Sequence, residues 1–447
     1  MSATYCVVGG GISGLVAAYR LRRAVGPDAT ITVFDPADRL GGILRTERVG
    51  GQSMDIGAEA FVARRPEMPA LLADLGLAGR RISPTGTRPL IYADARLHPL
   101  PAGTVNGIPS AAAAMTDLVD AATLAHMGAE PSRPLSWHAG ADPSVGDLVA
   151  DRFGAQVVAR SVDPMLSGVY AGTATGIGLR SAVPTVAAAL DRGAPNLTEA
   201  VRAVLPPGPA GPVFGAVDGG YQVVLDALVA QSGLRWQGTA VVELLRDGGG
   251  WNVYDDEGTC WPADGVILAL PAPRLAALTA GPAPRTAAAA RRIEVASSVV
   301  VALAVPGGTP LPQNSGVLVA TGEPLHAKAI TLSGRKWGSR GNAELLRLSF
   351  GRSGDTIARD TSDDTLLAWS LEDLRTVFGI DVEPVDLRVH RWLDAMPQYA
   401  PGHGGLVALH RAAVLADQGL LGIQGLLGDA VLGVQPLVAR QVDLGVL

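Results

Sequence analysis

The feature that most constrains this chain of 447 residues lies almost at its start. Tyr5-Cys6-Val7-Val8 is a short apolar run that ends in Gly9-Gly10-Gly11, and Gly14 completes a Gly-x-Gly-x-x-Gly pattern. Behind it, Leu15, Ala18, Tyr19 and Leu21 recur at helical spacing. Ile31-Thr32-Val33-Phe34 is a second apolar, β-branched run, closed by Asp35, 21 residues beyond Gly14. Strand, tight glycine turn, helix and strand in that order make a βαβ unit, so the expected class is α/β with a Rossmann-like parallel sheet. Each glycine has a task there. Gly9 permits the turn, Gly11 lets the backbone approach a pyrophosphate, and Gly14 lets the helix pack closely on the strand. The helix start, at Ile12 and Ser13, turns backbone N–H groups and a positive dipole end towards two phosphate charges. Asp35, followed by Pro36, is placed to accept hydrogen bonds from an adenosine ribose. The site expected is one for an adenine dinucleotide, and at this point NAD and FAD both fit.

The next segments separate them. Asp38-Arg39-Leu40-Gly41-Gly42, with Ile43 behind it, resembles the Arg-x-Gly-Gly turn with which many FAD-dependent oxidoreductases extend the dinucleotide fold. Met54–Ala60, with Gly57, Ala58, Glu59 and Ala60, resembles the next cofactor-contacting piece of that superfamily. Ala240-Val241 resembles the strand whose backbone meets the adenine. The resemblance implies a GR2-type flavoprotein with FAD as cofactor. No cysteine follows Cys260, which speaks against covalent attachment through a C-terminal thiol.

Composition removes other classes. Aromatic residues make up 4% and the net charge is −6, which leaves neither stacking platforms nor a basic surface for nucleic acid. An anionic substrate would therefore need a local cluster of Arg and Lys. The two cysteines, Cys6 and Cys260, lack metal spacing, and no HxxxH or HExxH occurs, so neither a metal nor a disulfide is expected. No apolar run approaches the roughly 20 residues of a spanning helix. A cytoplasmic protein without transmembrane segments is the expectation.

The pattern along the chain suggests three parts. Residues 1–95, 210–290 and 405–447 form a discontinuous FAD-binding domain. Residues 96–209 are Ala-rich, punctuated by Pro and Gly, and read as a helical insertion with helices over Ser110–Ala125 and Val145–Val162. Residues 291–404 carry strand-like runs at Ser297–Val305, Gly316–Ala320, His326–Leu332, Glu344–Phe350 and Arg388–Trp392, with a helix at Asp363–Phe378. They read as a substrate domain built on a mixed sheet. Leu420–Leu426 reads as a further strand.

Several stretches resemble protoporphyrinogen oxidase and its bacterial coproporphyrinogen-oxidising relatives. They are Leu100–Pro109 (LPAGTVNGIP), Met165–Gly172 (MLSGVYAG), Asp218–Gln222 (DGGYQ) and Arg388–His403 (RVHRWLDAMPQYAPGH). The resemblance runs along nearly the whole chain, and SGVYAG and WxxAMPQYxxGH are its most specific parts. It implies oxidation of a porphyrinogen by FAD in successive two-electron steps, with O2 as final acceptor, H2O2 as by-product and no side-chain acid or base. It also implies a tetrapyrrole slot with apolar walls and cations for the propionates. Arg64 and Arg65 are the candidate cations, Lys328, Arg335, Lys336 and Arg391 weaker ones, and Leu318 the candidate wall. Val105 stands where the mitochondrial enzyme has a propionate-binding arginine, which points to coproporphyrinogen III ahead of protoporphyrinogen IX, and a downstream chelatase is a candidate partner. The family ends in a flavin-contacting Gly-Val-Gly-Ile-Pro turn and a Ser-Gly. Here Gly428–Val434, with Gly433 and Val434 as candidate contacts, begins that pattern, and Gln435–Val442 departs from it. That departure leaves an alternative of another class, a folded chain that holds FAD weakly and does not catalyse.

Overall fold

The computed structural model describes residues 2–208, 211–338 and 341–408. The residues from 409 onward, with Gly433, Val434 and the strand expected at Leu420–Leu426, lie outside this range. Strands β1 (Thr4–Val8) and β2 (Thr30–Phe34) are parallel and joined through helix α1 (Ile12–Val25), as the glycine spacing requires. Strand 265–268 pairs with β1 and strand 235–237 with β2, so all four run parallel. One face of this sheet packs Val7, Ile31 and Val33 against Ala18 and Leu21 of α1. The other packs Cys6, Val8 and Phe34 against Trp251 and Val253 of an antiparallel three-stranded sheet. Burial on both faces explains why β1 and β2 read as continuous apolar runs.

The second body is a seven-stranded sheet in the order 386–397, 295–306, 343–350, 329–332, 316–319, 90–93, 96–99. Its two faces differ in kind. Val299, Val301, Leu346 and Leu348 lie under Leu366 and Leu374 of the helix Asp363–Phe378, whose N-terminus is capped by Ser362. The opposite face carries Ser298, Ala302, Ala304, Ala329 and Ser349 and turns towards the dinucleotide body, where Val49, Met54 and Ile56 meet Val300 and Ala302. Small residues on this inner face allow another body to approach the sheet.

Two sequence expectations need correction. The hairpin Leu90–Pro99, which a boundary at 95 would divide, pairs as a whole into the seven-stranded sheet. Its turn is made by Asp94 and Ala95 at φ 50 and 55, without the glycine that would have advertised it. The helix expected over Ser110–Ala125 is broken. A single 3-10 turn spans Ala112–Met115, and Asp120 starts a new helix, Ala121–Ala129, by accepting from the Thr123 N–H. Val145–Val162 is likewise interrupted at Gly154, φ 100.

The helical part is held from inside by one ion pair. Glu130 is fully buried and Arg152 is 4% exposed, with Nε to Oε1 at 3.0 Å. The same carboxylate accepts from the N–H groups of Leu197 and Thr198, at the start of the helix Leu197–Arg202. Glu130 is therefore satisfied by charge and by a helix N-terminus together, and loss of Arg152 strands it. Arg152→Met should lower unfolding stability by about 3 kcal/mol or more, measured by urea denaturation. An unchanged midpoint would show that the pair contributes nothing.

Candidate functional site

The glycine turn makes an open cradle. Gly11 is the N-cap of α1 and offers no side-chain cap to the helix, whose first turn carries no acidic residue. A Cβ built on Gly11 meets only the Cα of Gly42, 3.8 Å away, and otherwise projects into free space. Gly9 and Gly14 differ. Gly9 has φ 106, and a Cβ on Gly14 would overlap the Gly9 carbonyl, so these two glycines are needed by the protein's own packing. A helix N-terminus with its positive dipole end and an uncovered Gly11 are what a pyrophosphate requires. The cradle fits FAD.

The flanking residues complete it. Gly41 pairs with Gly11, and its N–H donates to the Gly10 carbonyl at 2.8 Å, which lays the Arg-x-Gly-Gly turn against the first glycines. Arg39 braces that turn from within, donating to the carbonyls of Leu40, Leu44 and Gly42. Asp35 accepts from the Gly10 N–H at 2.7 Å through Oδ2 and from the Ala37 N–H through Oδ1. It thus shapes the turn at the mouth where a ribose would sit, and Pro36 beside it is exposed. Val241 rests against the cluster of Val8 and Phe34 at the outer end of the sheet.

Gly57–Ala60 runs between this cradle and the seven-stranded sheet. Its neighbour is Ile43, whose carbonyl accepts from the Ala58 N–H. Trp392 donates to the Ile56 carbonyl at 3.1 Å, and Arg347, in the middle of the sheet, donates to the Gly57 carbonyl at 2.8 Å. The Glu59 side chain lies in a buried cluster, with Lys336 Nζ at 2.7 Å, Trp337 Nε1 at 2.8 Å and Arg347 Nη1 at 3.8 Å. Burial works against the Glu59 charge, but Lys336 and Arg347 hold its carboxyl below the usual range. Next to it, burial pushes Asp55 up to about 7 despite hydrogen bonds from Thr46 Oγ1 and the Tyr221 N–H.

The candidate substrate residues separate. Leu318 is 5% exposed on the inner face, opposite Ala329 and Ile91. Lys328 is on the same side and buried. Arg64 is exposed and Arg65 half-buried, just beyond the short strand Phe61–Val62. Three weaker candidates are engaged elsewhere. Lys336 pairs with Glu59 and Arg335 with Glu344. Arg391 opposes Val299, so it points to the helix side, where it pairs with Asp363. Sequence reading missed Arg347 altogether. The one available signal was an arginine inside the otherwise apolar run Leu345–Leu348.

The two most specific motifs pack on one another. Gln398 donates to the Tyr170 carbonyl at 3.0 Å, and the rings of Tyr170 and Tyr399 meet edge to face with centroids 5.6 Å apart. They join the helical part to the segment that follows the last strand of the sheet among the described residues.

Two variants test this geometry. Gly11→Val should leave the fold intact and remove bound flavin, read as loss of visible absorbance with unchanged circular dichroism. A yellow Gly11→Val protein would refute the assignment. Asp55→Asn tests the buried carboxyl. A carboxyl raised from its ordinary value to about 7 stabilises the fold fully below about pH 4 and loses that contribution as pH climbs to about 7. Asn keeps both hydrogen bonds without a charge, so the variant should melt a few °C above the parent at about pH 8 and close to it at about pH 4. A lower melting point at pH 8 would mean that Asp55 is stabilised as an anion.

A family model described as "Flavin containing amine oxidoreductase" matches residues 12–424. The coproporphyrinogen III oxidase of Mycobacterium tuberculosis H37Rv is 67% identical over 411 residues, covering 92% of this chain and 90% of that one. That of Mycobacterium leprae is 63% identical over 413 residues, covering 92% of both. Among solved structures, a putative protoporphyrinogen oxidase from Exiguobacterium sp. 255-15 superposes with a TM-score of 0.84 at 26% identity, covering 99% of each chain. With the dinucleotide cradle, these similarities show that the chain belongs to the flavin-containing amine oxidoreductases and, among them, to the FAD-dependent porphyrinogen oxidase family.

Proposed function

We propose that this protein oxidises coproporphyrinogen III to coproporphyrin III, with O2 as final acceptor and H2O2 as by-product. One observation carries the reading. The inner face of the seven-stranded sheet is floored by small and apolar residues, opposes the cofactor segment, and is flanked by buried cations. A flat apolar macrocycle with carboxylate arms is the ligand class that such a surface suits. The relatives above 60% identity are named for coproporphyrinogen III, whereas the solved structure named for protoporphyrinogen is far less similar.

When bound, FAD supplies the two-electron acceptor for each oxidation step. The chain's own residues bind and orient. Gly9–Gly14, Asp35, Pro36, Arg39, Gly41–Ile43, Gly57–Ala60 and Val241 line the cofactor's path. Leu318 forms part of the apolar floor, and Arg64 and Arg65 are offered as outer contacts for propionates at the rim. His390, on the inner face, is held neutral. Burial and then the charges of Arg45 and Arg39 push it down to about 4, so it adds no cation near the cofactor turn. No described side chain is needed as an acid or base.

The product is a metal-free porphyrin, so the next reaction class in sequence is metal insertion, and a chelatase is the partner we propose. Among the described residues no helix is long and apolar enough to cross a membrane. Together with two free cysteines this favours the cytoplasm as the place of action.

Aerobic porphyrin fluorescence with each porphyrinogen tests the proposal. The kcat/KM for coproporphyrinogen III should exceed that for protoporphyrinogen IX by about tenfold or more, since unpaired cations penalise the substrate with fewer carboxylates. Equal or reversed values would overturn the substrate choice. A colourless, folded protein would favour the weakly binding, non-catalytic chain instead.

A further inference from the structure

The inner face of the sheet contains a buried lysine that pairs with no carboxylate among the described residues. Ala327 and Ile330 pack into the core on the helix side, and the two residues between them, Lys328 and Ala329, both oppose Ser349 on the neighbouring strand. This local two-against-one pairing, the arrangement of a β-bulge, turns Lys328 to the inner face. Lys328 is 6% exposed. Its Nζ donates to the Gly351 carbonyl at 2.5 Å and meets no carboxylate within ion-pair distance among the described residues. Three N–H groups therefore have one acceptor.

The next residue along, Arg352, is similar. Half-buried, its guanidinium donates to Thr321 Oγ1 at 3.2 Å, again without a carboxylate partner. That hydroxyl is held as an acceptor because it donates its own proton to Asp163 Oδ2, at 2.9 Å. The backbone is fixed from the other side, where Ser353 donates to the carbonyl of Ala171 in the SGVYAG segment, a residue at φ 51. The charged groups acting on Lys328 are Arg352 and Arg347, which oppose its protonation, and Asp355, which favours it. Burial is the largest effect, and together these bring the ammonium down to about 7. The floor beside it is open. Ser349 and Thr331 lie on interior strands, yet both remain partly accessible.

A buried lysine without a counter-ion costs stability and persists where something outside the chain completes it. We propose that Lys328, with Arg352 beside it, forms an anion subsite in the floor of the slot that takes one carboxylate arm of the tetrapyrrole. This rests on the porphyrinogen reading above and adds the residues that seat the substrate. The remaining N–H groups of Lys328 and the free edge of Arg352 supply charge-assisted hydrogen bonds to the carboxylate. Leu318 and Ala329, in the same row of the sheet as Ser349, meet the macrocycle.

The test is binding to the FAD-loaded protein, read by porphyrin fluorescence. The ligands are coproporphyrin III and its tetramethyl ester, which has the same macrocycle without charge. Lys328→Met should weaken coproporphyrin binding by about tenfold or more, leave ester binding and flavin content unchanged, and raise the melting temperature, since a desolvated charge is removed. Arg352→Gln should weaken coproporphyrin in the same selective way, by a smaller factor, and gives a second reading should Lys328→Met fail to fold. Equal weakening of both ligands, or none, overturns the subsite and leaves the porphyrinogen reading standing. If the parent protein binds neither ligand, the porphyrinogen reading itself falls, and the subsite with it.

Discussion

Arg347 joins the two halves of this molecule. From the centre of a seven-stranded sheet it donates to the carbonyl of Gly57 and approaches Glu59, which Lys336 also engages. Glu59 and Arg347 are buried and Lys336 is largely covered, so the cluster is stable only when complete. Its consequence is positional. Gly57–Ala60 is a neighbour of the cofactor cradle through Ile43, and the sheet carries the slot floor, so this contact, with the Trp392–Ile56 hydrogen bond and the packing on Val300 and Ala302, sets the distance between them. Remote positioning of this kind supplies much of what a flavoenzyme's protein contributes, because the redox chemistry belongs to the cofactor.

The contrast between the sheet's faces follows from the same constraint. The helix side is filled by large aliphatic residues and closed by the helix Asp363–Phe378. The inner side is kept low by Ser298, Ala302, Ala329 and Ser349, and cations stand where aliphatic residues would otherwise pack. A surface built for stability alone would not bury Lys328 beside two arginines. On the proposal above, a carboxylate ligand completes this face.

Parts of this were legible in the sequence and parts were not. The strand, glycine turn, helix and Asp35 could be read because each of them is local and each glycine answers a local steric demand. The helix Asp363–Phe378 was readable from its periodicity for the same reason. The expected boundary at 95 divided the hairpin Leu90–Pro99 between two parts, because its membership depends on pairing with residues 317–319, more than two hundred positions away. The cations show the same limit. Arg391 and Lys328 look alike in sequence, and only strand register and a local bulge send one to the helix side and the other to the slot. SGVYAG and AMPQY stood out as motifs, but their contact through Gln398 and Tyr170 is visible only in the folded chain.

The central claim is that the cradle at residues 9–14 and the inner face of the sheet are the two walls of one site. Hydrogen–deuterium exchange of the flavin-free protein, after addition of FAD and then of coproporphyrin III, addresses it directly. FAD should slow exchange at residues 9–14, 41–43 and 57–60, and the porphyrin should then slow exchange at 328–331 and 349–352. Protection by either ligand confined to other surfaces would contradict the account.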